Sequence, residues 1–370
     1  MIEVGEILAA LDRIAPWNLA ESWDQVGLQV GRKDQSVRRL LVALDLQPAV
    51  IEEGLALQVD GFITHHPLIF KPLTRIDLRT PLGESLQRLL KANLVFIAAH
   101  TNVDKAPFGL NHHLAKILGI EPVEPLERAA GADCCKIAVF APPEYGPALH
   151  QAMAAAGAGR IGEYEGCAFR VLGQGTFKPR AAARPWAGQP GEQTELAEVR
   201  LEMVVPQPAV YRVIAAIRAN HPYEEPAIDV LPLLTPSDAG LGRIGALAEP
   251  CTLTEFCQVV QERLRPNGLR VTGDPQRKIR RVALCSGSGG SLLKVAMNRG
   301  VDLYVSGDLG YHDFLSAREN GIALIDAGHW ATERIFSDWL IDNLDPAWVA
   351  NAGLELIASR SVQEEPYLLL

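Results

Sequence analysis

His65 and His66 stand side by side in GFITHHPLIF (Gly61–Phe70), closed by Pro67 and flanked by apolar residues. Histidine serves as a neutral metal ligand, a proton shuttle or a polar spacer, and the groups that converge on it decide which. Neighbouring side chains of an extended backbone point to opposite sides, so this pair does not easily grip one ion but can reach two. Pro67 favours that extended conformation at His66. Two other segments supply company. AAHTNVD (Ala98–Asp104) ends an apolar run with His100 and Asp104, and DAGHWATE (Asp326–Glu333) sets His329 and Glu333 four residues apart. That offset stacks two side chains on one helical face, as helical zinc motifs require.

His65, His66, Asp104, His329 and Glu333 therefore form a candidate metal set. Hard and borderline divalent cations accept mixed imidazole and carboxylate donors, and a carboxylate can bridge a pair of ions about 3.5–4 Å apart. Two divalent ions sharing five protein ligands keep positions open for water or substrate, which marks a catalytic rather than a structural site. The donor types do not choose among zinc, iron, manganese and cobalt. Each piece alone has a plainer reading: a His-His-Pro stretch can be structural, and an i, i+4 His–Glu pair can be a surface ion pair. The weight rests on their joint placement at strand ends.

Other residues belong to the surroundings. SGDLGYHD (Ser306–Asp313) brings Asp308, Tyr311, His312 and Asp313 to another strand end, where they can hold ligand imidazoles by the second nitrogen or act as acid or base. His100 and His312 are the candidates for proton transfer, with a satisfied core histidine as the alternative for His100. CSGSGGS (Cys285–Ser291) is a glycine-rich strand-to-helix turn whose backbone N–H groups can hold an anion, so a nucleotide or phosphate-bearing small molecule can dock there. It lacks a P-loop lysine and dinucleotide spacing, and a tight turn is its plainer reading. Tyr223, Glu224 and Glu225 are expected in packing and surface.

Such residues need strands to deliver them. RRLLVALDL, DGFITHH and VFIAAHT read as strands separated by helices, and RRVALCSGSGG, VDLYVSGD and GIALIDAG repeat the rhythm, with the last running into a helix through GHWATERIFSDWLIDNL. The expected fold is α/β, a mixed, mostly parallel sheet domain covered by helices, with ligands outside the carboxyl ends of the strands. Between the halves, two strand–helix units suggest an inserted α+β ferredoxin-like module. The expected boundaries are 1–125 for the first half of the metal domain, 130–235 for the module and 238–370 for the second half. TFKPRAAARPWAGQPGEQTE (Thr176–Glu195), rich in Pro, Gly and Ala, is expected to be an exposed loop.

With 370 residues, 48% of them hydrophobic, the chain can bury a substantial core. Its 44 acidic against 35 basic residues give a net charge of −9, which opposes nonspecific nucleic-acid binding. No apolar run reaches about 18 residues, and the acidic start lacks the pattern of a signal peptide, so a cytoplasmic protein without membrane partners is expected. The six cysteines show no CxxC pair and read as free thiols.

SWDQVGLQVG (Ser22–Gly31), ITHHPLIF, HTNVD, SGDLGYHD and GHWATE, in this order, resemble the Ngg-interacting-factor-three-like family, whose members are known as GTP cyclohydrolase 1 type 2 homologues. The resemblance spans nearly the whole chain. It implies a dinuclear metal centre at His65, His66, Asp104, His329 and Glu333, and homohexamers whose metal sites face an inner cavity. It also implies that the insertion is a module of CutA/PII-like type, with HPYEEPAIDV (His221–Val230) as its closing strand. The activity so implied is metal-dependent hydrolysis, with ring opening of GTP as a special case. The alternative is a metal-stabilised oligomeric scaffold, or a regulatory, metal-sensing protein without turnover.

Overall fold

The computed structural model describes residues 1–129, 134–233, 238–361 and 365–367. The chain forms two compact units, one of Met1–Ala129 with Asp238–Leu370 and the other of Ala130–Ser237.

The first unit holds two mixed sheets rather than a single one. In the five-stranded sheet, Glu355–Ala358, Arg39–Ala43, Gly61–Thr64 and Val95–Ala98 run parallel in that order, and Gly27–Val30 closes the edge antiparallel. The six-stranded sheet has the order Arg270–Thr272, Ala323–Asp326, Leu303–Gly307, Lys278–Ser288, Gly240–Thr252 and Ile120–Arg128. Its Ala323, Leu303 and Lys278 strands are parallel to their neighbours within that trio, and the remaining pairings are antiparallel. Each sheet borrows an edge strand from the other half of the sequence, Ile120–Arg128 in one and Glu355–Ala358 in the other. That exchange stitches the halves into one unit.

Side-chain alternation explains why the strands read as continuous apolar runs. Leu40 and Val42 join Ile63, Val95 and Ile97 in a core between the sheets, whereas Leu41 and Ala43 join Phe62 and Phe96 on the opposite face. The second sheet divides likewise, with Val282, Leu284 and Val305 facing the shared core and Ala283, Cys285 and Tyr304 facing outward. Helices Val4–Ile14, Leu110–Ile117, Leu253–Leu264 and Phe336–Asn343 fill the shared core with Ile7, Leu11, Leu114, Phe256, Val260 and Trp339. Helices Pro48–Ala56 and Pro81–Lys91 cover the outer face of the first sheet through Val50, Leu86 and Leu89. Each starts on proline at its first position, and Thr80 accepts a hydrogen bond from the Gly83 N–H. Phe62 and Phe96, fully buried, each contribute about 1.5–3 kcal/mol of transfer free energy.

The second unit has the element order β-α-β-β-α-β. Its antiparallel sheet runs Ile228–Leu233, Cys134–Ala141, Thr194–Pro206, Phe169–Phe177. Helices Gly146–Ala155 and Val210–Asn220 cover one face, where Leu149, Met153, Val213 and Ile217 pack on Ile137, Val139, Leu201 and Met203. Cys135, Cys167, Cys251, Cys257 and Cys285 are free thiols. Among the described residues, no helix is long and apolar enough to cross a membrane.

Candidate metal centre

Three adjacent parallel strands deliver one wall of the site. Arg39–Ala43 leads into Asp45, Gly61–Thr64 into His65 and His66, and Val95–Ala98 into His100 and the short helix Thr101–Lys105 that carries Asp104. The six-stranded sheet supplies the opposite wall from its own carboxyl ends: Ser286 and Gly287, Asp308, and the helix His329–Glu333. Gly328 precedes that helix with φ 87°, a left-handed conformation suited to glycine. The helix expected to run on through Asn343 breaks after Glu333 and resumes at Phe336.

Glu333 joins the two walls. His66 Nε2 and His329 Nε2 lie 3.0 and 2.9 Å from its Oε2, while His65 Nε2 lies 3.7 Å from its Oε1 and 3.6 Å from Asp104 Oδ1. Two three-ligand groups result, His66–His329–Glu333 and His65–Asp104–Glu333, each with donor atoms within 4.8 Å of one another. Adjacent His65 and His66 fall into different ones of these two groups, yet their rings are not on opposed sides, with centroids 5.2 Å apart. His65, His66 and His100 form a third group of the same compactness.

Every ring has its second nitrogen held. His65 Nδ1 is 2.9 Å from the Ala99 carbonyl, His66 Nδ1 is 2.8 Å from Asp45 Oδ1, and His329 Nδ1 is 2.7 Å from Asp308 Oδ2. His100 Nδ1 is 2.9 Å from Asp24 Oδ1. A carbonyl or carboxylate at Nδ1 fixes the tautomer that presents Nε2 as the donor to a cation, the arrangement common around ligating histidines. Ser286 Oγ donates to Asp104 Oδ1 at 3.3 Å.

The electrostatics are those of a site built for positive charge. Burial opposes charge on His66, but Asp45 and Glu333 outweigh it and lift the imidazole pKa to about 10. Burial likewise disfavours charged His329, yet Glu333 and Asp308 raise it to about 9. His65 is raised by Asp104 and Glu333 against complete burial. Glu333 is buried as well, and the three imidazoles still hold its pKa well below the usual range. Asp104 is raised, by burial first. Buried His65 Nε2 has no hydrogen-bond partner, and buried Glu333 Oε2 faces the ring nitrogens of His66 and His329. An orphaned buried nitrogen is costly, and a divalent cation satisfies it while displacing protons from the imidazoles. The donor set and the orphaned nitrogen fit a metal.

The surroundings are only partly as the sequence suggests. From SGDLGYHD, Asp308 reaches the centre, whereas Asp313 caps its own helix by accepting from the Gly310 N–H at 2.8 Å, and Tyr311 is 75% exposed. His312 is exposed beside Tyr311 and belongs to none of the three groups. The glycine-rich turn is not an open anion cradle. The N–H groups of Ser286, Gly287 and Gly289 donate to Asn111 Oδ1, Thr332 Oγ1 and Ser306 Oγ. Its glycines serve close approach instead: a Cβ on Gly287, at φ 60°, would lie 2.1 Å from Glu333 Oε1 and 3.2 Å from His329 Nε2. Gly287→Ala is therefore expected to push Glu333 out of place and weaken metal retention by about 10-fold or more, with strain of about 1–3 kcal/mol, measured by chelator competition and urea unfolding.

Asp45 was missed by sequence reasoning although ALDL ends a strand just as THH does; its position was the available signal. Glu365 gives no such signal. It is 5% exposed, and burial raises its pKa beside the start of the helix His329–Glu333, against the lowering effect of the Ala331 and Trp330 backbone N–H groups. With His66, His329, Asp45, Asp308 and Trp330 it lines a cavity of about 610 Å³ that no lysine or arginine borders among the described residues.

A family model described as Duf34/NIF3 (NGG1p interacting factor 3) matches residues 2–365. The chain is 38% identical over 334 residues to the GTP cyclohydrolase 1 type 2 homolog of Bacillus subtilis, which covers 90% of this chain and 89% of that one. It is 33% identical over 365 residues to the protein of the same name from Halalkalibacterium halodurans, covering 98% of each. Among solved structures, a Bacillus cereus protein related to NIF3 is 34% identical and has a TM-score of 0.86, covering 100% of this chain and 99% of that one. With both the whole-length family match and relatives above the identity that secures homology, the chain belongs to the Duf34/NIF3 family.

Proposed function

We propose that this chain holds two divalent metal ions and is a metal-dependent hydrolase acting on a nucleotide or another phosphate-containing small molecule. The observation that carries the reading is the pair of three-ligand groups meeting at Glu333, with the buried His65 Nε2 lacking a hydrogen-bond partner. His66, His329 and Glu333 would hold one ion, and His65, Asp104 and Glu333 the other. When bound, such ions supply a water of lowered pKa and polarise the bond under attack. The protein's own part is orientation and proton handling. Asp45, Asp308 and the Ala99 carbonyl fix the three ligand rings, and Ser286 steadies Asp104. His100, anchored through Nδ1 to Asp24, offers its remaining nitrogen to a proton beside the centre.

The name carried by the relatives supports a nucleotide as substrate. Among the described residues the cavity beside the centre has no lysine or arginine for a phosphate, so the phosphate oxygens would be held at the ions. Cytoplasmic location, assembly into a hexamer and a ferredoxin-like, CutA/PII-like character for an inserted second unit belong to the same reading. They rest on the family resemblance and, for the second unit, on its β-α-β-β-α-β order. A regulatory, metal-sensing scaffold without turnover is the second reading, favoured by a cavity that the second unit possesses on its own.

One experiment separates the two. Protein purified without chelators is assayed for metal and challenged with a panel of nucleotides and phosphoesters, beside His66→Ala. The hydrolase reading expects about two divalent ions per chain and turnover that the substitution lowers by about 100-fold or more. Turnover undiminished in His66→Ala would place the activity elsewhere, and a metal-loaded protein inert to the whole panel would favour the scaffold.

A further inference from the structure

The second unit's sheet leaves one face free of helices. Phe140, Glu198 and Gly175 lie on it, and the segment 178–193, which contains neither helix nor strand, folds over part of it and brings Trp186 opposite. Between them lies a cavity of about 490 Å³, all of whose walls come from residues of this unit. We propose that this cavity is a binding site for a small organic cation, an amine carried on an aromatic or alkyl body, separate from the metal centre.

Three observations carry it. The walls are aromatic: Trp186 stands 6.0 Å from Tyr223 and 6.1 Å from Tyr145 between ring centroids, and 45% of its surface is exposed although it is the largest apolar group of its segment. Faces of Trp and Tyr attract cations through the ring quadrupole. The floor is anionic and fixed in place. Glu198 accepts a hydrogen bond from the Tyr223 hydroxyl at 2.8 Å, and its other oxygen sits over Gly175, 2.1 Å from where a Cβ would stand. Burial and the Glu198 carboxylate both hold the Tyr223 phenol in its protonated, donating form.

The negative charge also exceeds the positive. Arg200, whose guanidinium stacks on Phe140, pairs with Glu202 at 2.8 Å. Glu224 and Glu225 add negative charge at the rim, and Lys178 is the one lysine or arginine among the described lining residues. Aromatic and apolar walls with a placed carboxylate, and three glutamates to one lysine in the lining, suit an ammonium whose body fills the aromatic slot, and they disfavour an anion of equal size.

The test is calorimetric titration of the full-length protein with phenethylamine and with 3-phenylpropionate, which share a body and differ in charge. Saturable binding of the amine, at least about 10-fold tighter than the acid, is expected. Glu198→Gln, which keeps the acceptor for Tyr223, should remove that preference, and Trp186→Ala, in an exposed segment, should weaken the amine about 10-fold with an unchanged melting profile. Equal binding of both probes, amine binding indifferent to both variants, or no amine binding in the millimolar range would each overturn the proposal. So would a Glu198→Gln protein whose only change is its oligomeric state, because the cavity would then hold a basic side chain of a second copy.

Discussion

Glu333→Gln is expected to empty both proposed metal positions while leaving the fold intact. Its carboxylate is the one group common to the two three-ligand sets, with Oε2 near His66 and His329 and Oε1 near His65. Glutamine preserves the shape, so the shared core is undisturbed, and its amide can donate to an imidazole nitrogen. An amide nitrogen is not a ligand, however, and the neutral side chain no longer offsets the charge of two cations. Losing a mere outer partner of a ligand costs about 10–100-fold in metal affinity, so loss of a shared ligand should exceed about 100-fold. Asp104→Asn supplies the contrast, because Asp104 belongs to one set alone. Elemental analysis after dialysis against a mild chelator should find about two ions per chain in the unmodified protein, about one in Asp104→Asn and close to none in Glu333→Gln. Identical losses in both variants would break the division into two positions, and full occupancy in Glu333→Gln would end the account of the centre.

Most of this centre is legible in the sequence because its signals are local. THHP, HTNVD and GHWATE each place donors at the end of an apolar run, and the rule that ligands gather outside parallel strand ends brings the runs together before any coordinate does. What cannot be read is pairing over long separations. His66 and His329 lie 263 residues apart, and Ser286 and Asp104 are 182 apart; no periodicity announces either contact. The division into two sheets is hidden for a related reason. Ile120–Arg128 and Glu355–Ala358 look like ordinary strands, and only the packing of both inner faces on one core decides that each joins the sheet of the other half. CSGSGGS shows the opposite failure, a strong local signal with a different cause. Its glycines mark proximity to Glu333, and its N–H groups are already spent on side-chain oxygens.

Arg243→Leu is expected to destabilise the first unit strongly, and the reason connects stability to the centre. Arg243 is 1% exposed, yet no carboxylate pairs with it among the described residues. Its guanidinium donates instead to four carbonyls. Nη1 reaches Gly240 O at 2.6 Å and Gly242 O at 2.7 Å, while Nη2 reaches Ala106 O and, at 3.2 Å, Pro107 O. Burial depresses its pKa to about 10, which still leaves it charged at neutral pH. Leucine fills part of the volume but strands those carbonyls in the interior, where each unsatisfied group costs about 1–3 kcal/mol. Partial relaxation keeps the sum below simple addition, so a loss of about 3–5 kcal/mol is expected, read as a lower urea midpoint. Arg243→Lys retains a charge and three donors but not the planar fork, and should fall between the two. Two of the four carbonyls, Ala106 and Pro107, directly follow the helix Thr101–Lys105 that carries Asp104, so the guanidinium ties that segment to the strand Gly240–Thr252. The lysine variant, folded but loosened there, should therefore lose the ion of the His65–Asp104 set before that of the His66–His329 set. An unchanged urea midpoint in Arg243→Leu would refute the tether, and equal retention of both ions in Arg243→Lys would show that Asp104 is held by Ser286 and its own helix alone.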